Sequence, residues 1–328
     1  MSVAATSTAP IARVRRALGR VALAASALTL VVIVASAFIR HTQAGLSCGD
    51  WPACYAAVDA KETATTGVSI ARIVHRLAAT GALVLVVGLW LSARARRPAF
   101  RRERRLGLAA LLVAAALGLL GVATPGAAVP VIPLGNLVGG YLMLALLAAL
   151  AGVAAVDDDV RPANHATASH RRFALGLLAL AFVQAGIGGL IGTEFALASC
   201  RNLLHCSGVA ADAAAIGGSL DPFQPLTSVN GHFVPPSNGA ALHTVHRLFA
   251  IAVTFLALVL AYALRSIDAR ACAWLTALAL TAPLLGVAAV VAMPALPVTV
   301  LHNAAAALLI ATLAHTAGTS QSVAAPAL

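Results

Sequence analysis

Four histidines of this 328-residue chain, His75, His243, His246 and His302, stand at the beginning of apolar runs long enough to cross a bilayer. An ionisable side chain inside hydrocarbon is costly unless it has a partner, so each asks for an explanation. His246 and His302 belong to the same half of the chain, and residues after His302 are small or apolar (AAAAL), leaving room for a flat group between helices. Two neutral imidazoles projecting from facing helices of a four-helix bundle are the arrangement that fills both axial positions of a heme iron. The alternative reading is that each imidazole simply hydrogen-bonds across helices. His243 lies three residues before His246, on the same helix face, and suits a supporting role for a ligand or a group edge better than direct ligation. Arg76 and Arg247 each follow one of the histidines directly. They either bind carboxylates of a cofactor through charge-assisted bonds or snorkel outward, and spacing does not separate the two.

The elements that must carry these residues follow from hydropathy. Sixty per cent of the residues are hydrophobic, 10% are charged and the mean hydropathy is +0.92, which sets the chain apart from soluble domains. Apolar runs at 20–39, 67–92, 106–124, 136–156, 173–192, 241–264, 271–292 and 298–317 each span a hydrocarbon core of about 30 Å as a helix. The fold class expected is therefore an all-α membrane protein with eight transmembrane helices in contact with the lipid bilayer. The net charge of +11 does not indicate a nucleic-acid partner, because the arginines cluster in loops: RVRRALGR, RARRPAFRRERR, HRR at 170–172 and RSIDAR. By the positive-inside rule these four segments are cytoplasmic, as are both termini, and the location expected is a bacterial inner membrane.

The two halves match. Each has a long outer loop with a CxxxxxC pair, CGDWPAC and CRNLLHC, and then a helix with a His-Arg-Leu motif, HRLAATGALVLVV and HRLFAIAVTFLAL. An even number of helices per repeat makes the repeats parallel, two four-helix bundles with corresponding residues at equal depth. The expected organisation is 1–156, a polar cytoplasmic linker at 157–172, and 173–328. Cys48 with Cys54 and Cys200 with Cys206 fit two disulfides in an oxidising compartment; a zinc site would have only His205 near as a third ligand. Cys272 reads as a buried thiol. His165 and His170 fall in the linker, His315 near the cytoplasmic end of the last helix, and His41, His205 and His232 in outer loops. The first half lacks a second imidazole, since Asn136 in PLGNLVGGYLMLALL takes the turn that His302 takes in the second, with Tyr141 further on.

RHTQAGLSCGDWPACYA (40–56), FVQAGIGGLIGTEFALASCRNLLHC (182–206), LHTVHRLFA and LHNAAAALL resemble signatures of the heme A synthase family, and the resemblance covers nearly the whole chain. It implies a membrane oxidoreductase that converts heme O to heme A, oxidising the C8 methyl to a formyl group for cytochrome oxidase assembly. It also implies heme b on His246 and His302, heme O as substrate near His75 and Asn136, and heme O synthase and an electron donor or acceptor as partners. A homo-oligomer is compatible with the sequence. Two positions depart from the family pattern: Arg72 stands where a glutamate is usual and Asn136 where a histidine is usual. They support an alternative, a heme-binding assembly or electron-transfer protein without catalysis. A transporter is a third reading, since parallel repeats suit it too.

Overall fold

The computed structural model describes residues 9–46, 48–58, 65–96, 100–155, 168–200, 203, 206, 217–218, 220–237, 239–292 and 295–320. Eight helices among them are long and apolar enough to cross a membrane. They are α1 (Ala9–Gln43), α2 (Thr66–Ala95), α3 (Arg101–Ala123), α4 (Val131–Ala155), α5 (Ala168–Thr193), α6 (Gly239–Leu264), α7 (Ala269–Val291) and α8 (Leu296–Thr319). The chain is a multi-pass membrane protein. Local chemistry sets several ends: Thr65 accepts a bond from Val68 N–H, Asp268 accepts one from Ala271 N–H, and a proline opens α8.

Helices α1 to α4 contact one another in a closed ring, and α5 to α8 do the same. The rings join through α4 against α8, flanked by α1 on α8 and α4 on α5. At the α4–α8 crossing a Cβ on Gly152 would run into the His315 carbonyl, and one on Gly318 into the Ala149 carbonyl. The second contacts repeat the pattern, with Thr319 N and Val153 N each 3.1 Å from the opposite position. The same offset along the chain separates Gly152 from Gly318, Ala149 from His315 and Val153 from Thr319. The contact is therefore reciprocal, as across a two-fold axis. Asn136 and His302 are separated by that same offset, so they hold equivalent turns of α4 and α8. His315 Nδ1–H donates to the Ala148 carbonyl at 3.2 Å, so this residue belongs to the crossing rather than to solvent.

The structure extends α1 at both ends relative to the apolar run. At one end His41 lies inside the last turn and is buried, so it is not a loop residue. At the other, Arg15 pairs with Glu103 at 3.0 Å, and Glu103 is a buried carboxylate in the first turn of α3, ahead of where hydropathy starts that span. Of the linker at 157–172, residues 157–167 lie outside the described residues, as do His165 and His205.

Both cysteine pairs are disulfide-bonded, with Cα–Cα distances of 6.3 Å for Cys48–Cys54 and 5.0 Å for Cys200–Cys206, and Cys272 is a half-buried free thiol. A hairpin, β1 (Thr227–Val229) and β2 (His232–Val234), turns at Asn230-Gly231, both with positive φ. It comes from the second half and sits on the first: Phe233 N–H donates to Ala56 O and Val58 N–H to Gly231 O. Leu226 N–H to Ala128 O and Val131 N–H to Pro222 O extend the contact to the start of α4. Phe195 stacks on Phe233 with centroids 4.8 Å apart, closing a small apolar core with Tyr55.

Replacing either Gly152 or Gly318 by leucine is expected to lower the melting temperature in detergent, a cost of about 1–3 kcal/mol each. Because both glycines serve one crossing, the double variant should cost less than the sum of the singles, which a double-mutant cycle by thermal unfolding measures.

Candidate functional site

His75, Asn136, His243, His246 and His302 lie toward the end of the bundles that carries the disulfide loops, whereas His315 lies toward the other end, at the α4–α8 crossing. In the second ring, His246 on α6 and His302 on α8 face each other with ring centroids 6.3 Å apart and planes at 73°. Two imidazoles bonded on opposite sides of one metal span about the same distance, given about 2 Å per metal–nitrogen bond and roughly 1 Å from nitrogen to ring centre. His302 Nδ1–H donates to the Ala282 carbonyl at 2.8 Å, which holds the proton on that nitrogen and leaves the Nε2 lone pair free. His246 Nε2 lies 3.4 Å from the Gln184 amide nitrogen on α5, while His246 Nδ1 and Gln184 Oε1 are buried without partners. Gln184 must swing off Nε2 for that nitrogen to ligate.

Two glycines make the space. A Cβ on Gly188 of α5 would stand 2.7 Å from His246 Cε1, and one on Gly286 of α7 would stand 3.2 Å from His302 Cε1. Each ring therefore lies against bare backbone of the neighbouring helix. Among the described residues no group of three or more His, Cys, Asp or Glu gathers to hold a metal ion, so the pair suits a metal whose remaining positions its own macrocycle fills. The residues present fit a bis-histidine heme.

His243, one turn earlier on α6, is buried and donates Nε2–H to the Ala196 carbonyl at 3.0 Å. It anchors the 3-10 turn Ala196–Ser199 that follows α5. Arg247 also points to that loop: it donates to Leu203 O at 2.9 Å and approaches Cys200 Sγ at 3.4 Å and Cys206 Sγ at 3.6 Å. Arg72 and Arg76 are exposed on α2 among the outward residues Ile73, Val74 and Leu77.

In the first ring a pocket, whose ≈ 470 Å³ of atom-free space includes open solvent, is lined by His75, Asn136, Arg40, Tyr141, Asn303 and Ser36, with Val32, Ile33 and Leu117 among its apolar walls. It brings His75 and Asn136 to one space. Asn136 Nδ2 donates to Thr124 Oγ1 at 3.1 Å, tying it to the end of α3. Gly140 on α4 lets Ile33 approach to 3.6 Å of a would-be Cβ. Asn303 belongs to α8 of the other ring yet enters this cavity, where Tyr141 OH lies 3.4 Å from its Oδ1 and Arg40 Nη2 lies 3.5 Å from the same atom. The sequence pattern did not single out Arg40, Gln184, Gly188 or Gly286. Arg40 sits at the end of an apolar run, where basic residues normally reach water, and the glycines resemble any others in helices rich in small residues.

Residues 128–314 match the family of cytochrome oxidase assembly proteins (COX15-CtaA). The chain belongs to that family. A heme A synthase of Shewanella oneidensis is 30% identical over 310 residues, covering 87% of this chain and 91% of its own length. A heme A synthase of Symbiobacterium thermophilum is 34% identical over 94 residues, 28% of this chain and 30% of its own. The family match takes in α4 to α8, and therefore His246, His302, Asn136 and both flanking glycines, but not His75 or Arg40.

One carboxyl lies close to this end of the bundles. Glu194, just past α5, is buried with Oε2 unpartnered, and burial, reinforced by the charge of Asp221, pushes it up to about 7. An unfolded carboxyl titrates near 4.5. Between those values the folded chain holds the extra proton, so Glu194 costs nothing below about pH 4.5, increasingly destabilises as pH rises, and reaches its full cost above about pH 7. Glu194→Gln is therefore expected to raise the melting temperature at pH 8 and to leave it nearly unchanged at pH 5, compared with the parent by thermal unfolding at the two values.

Proposed function

We propose that this chain is a heme A synthase, an oxidoreductase of the membrane that converts the C8 methyl of heme O to a formyl group by successive hydroxylations for cytochrome oxidase assembly. The observation that carries the proposal is the pairing of two sites at one depth: facing imidazoles in the second ring and a cavity with His75 in the first. The near full-length likeness to a heme A synthase supports it. In this reading residues 1–156 form the substrate half and 173–328 the heme b half, joined by a cytoplasmic linker. His246 and His302 hold heme b, which supplies one-electron transfer when bound. His302 is oriented by Ala282 O, and Gly188 and Gly286 clear the flanking space.

In the first ring His75 offers an imidazole to heme O, and Asn136, fastened to Thr124, borders the same space. The apolar walls and the loop cover from the second half keep water from the reacting methyl. His243 and Arg247 act on the site indirectly, by holding the loop that contains the second disulfide against α6. The arginine-rich loops support an orientation with both termini in the cytoplasm and the disulfide loops outside, and this reading takes the membrane to be a bacterial inner membrane. Heme O arrives from its synthase, and an electron donor or acceptor completes the redox cycle.

A second reading has its own observation: no carboxylate is among the described residues lining the cavity, Arg72 is exposed and Asn136 is already bonded. These favour a heme-binding member that does not oxidise its ligand. Expression in a host that makes heme O and lacks its own synthase separates the two. Appearance of heme A in the extracted hemes supports the enzyme, whereas a bound b-type spectrum without heme A supports the second reading. Purified protein free of heme would sink both.

Either His246→Ala or His302→Ala should abolish the six-coordinate low-spin spectrum of the second ring, and Gly188→Val should do so nearly as completely by pushing on the His246 ring. His75→Ala should leave that spectrum intact while removing heme A formation. Heme extraction and absorption spectra of the four variants read these outcomes together.

A further inference from the structure

We propose that Arg40 is the anion anchor of the first-ring cavity, the residue that selects a ligand bearing a free carboxylate and orients it there. The residue is in the last turn of α1 and lines the cavity beside His75, Asn136, Tyr141 and Asn303. Its Nε is shielded from solvent and has no acceptor. Its Nη2 reaches only a neutral amide oxygen, Asn303 Oδ1, at 3.5 Å, which is long for a hydrogen bond. The Arg15–Glu103 ion pair lies in a different part of the first ring, and no carboxylate is among the described residues that line this cavity.

A guanidinium removed from water without an anion costs several kcal/mol, and the partial negative charge at the end of α1 offsets only a fraction of that. The missing charge has to come from what enters the cavity. A guanidinium presents a planar fork of donors that matches a carboxylate in two parallel bonds, more specifically than an ammonium would. Arg72 and Arg76 on α2 are exposed, and Arg247 is engaged with the second disulfide loop. Arg40 is thus the cation positioned to meet a ligand inside this space. Asn303, the neighbour of Arg40 in this space, directly follows His302 on α8.

The inference deepens the proposed function and rests on it, since heme O carries two propionates on one edge. With a carboxylate held at Arg40, at the end of the cavity nearest the loops, the propionate edge faces outward and the opposite edge of the ring faces into the membrane. The test compares binding of heme O with binding of its dimethyl ester, followed by absorption titration of the full-length protein in detergent. The parent is expected to bind the diacid about tenfold to a hundredfold more tightly than the diester.

Arg40→Gln should lose that preference by weakening the diacid alone, while Arg40→Lys should keep part of it. The b-type heme content of His246 and His302, measured on the same preparations, reports whether each variant is folded. Equal binding of acid and ester by the parent overturns the inference without any variant, and so does a preference that survives in folded Arg40→Gln. If the parent binds neither form, the proposed substrate cavity itself fails and the anchor with it. That outcome is distinct from the other two.

Discussion

Where α4 crosses α8, backbone meets backbone, and the polar contacts between the two rings depend on that approach. Gly152 and Gly318 leave no side chain between the helices, so the two rings are held at the closest distance two helices allow. At this distance a residue of one ring can serve the other. Asn303 does so, reaching into the first-ring cavity while its neighbour His302 faces His246. A wider spacing would separate Arg40 and Tyr141 from Asn303 and leave the cavity without that part of its wall.

The lipid interior provides the second constraint. No water is available there to satisfy an imidazole, amide or guanidinium, so each must find a protein partner or await a ligand. The contrast between residues is informative. His302 and His243 have carbonyl acceptors at 2.8 and 3.0 Å, whereas His246 Nδ1, Gln184 Oε1 and Arg40 Nε have none. Three of the unsatisfied atoms lie at the imidazole pair and at the cavity, and the satisfied imidazoles brace the framework around them.

Duplication accounts for the layout, and divergence accounts for the difference in chemistry between the copies. The shared offset of Gly152 with Gly318 and Asn136 with His302 shows that Asn136 stands at the turn that His302 holds in the second ring. The first ring has instead a pocket lined by an arginine. An imidazole pair closes on a flat group from both sides, whereas one imidazole with an amide leaves one side open. At the loop end of the first ring, the hairpin of the second half bonds to the backbone of Ala56 and Val58.

Hydropathy, loop arginines, paired cysteines and the recurring His-Arg-Leu motif are local properties, and the sequence by itself determined from them the eight spans, the matching halves and the pairing of His246 with His302. Helix ends were less legible. RHT closes the apolar run after Ile39 and reads as loop, yet the backbone keeps its helical bonds to Gln43 because neighbouring helices bury that turn. What only the tertiary structure decided was direction. Successive residues on a helix point about 100° apart, so neighbours in sequence such as Arg40 and His41, or His302 and Asn303, face different surroundings. Which surroundings those are depends on how two rings pack, and that is set by a pair of glycines far along α4 and α8 whose role no local pattern reveals.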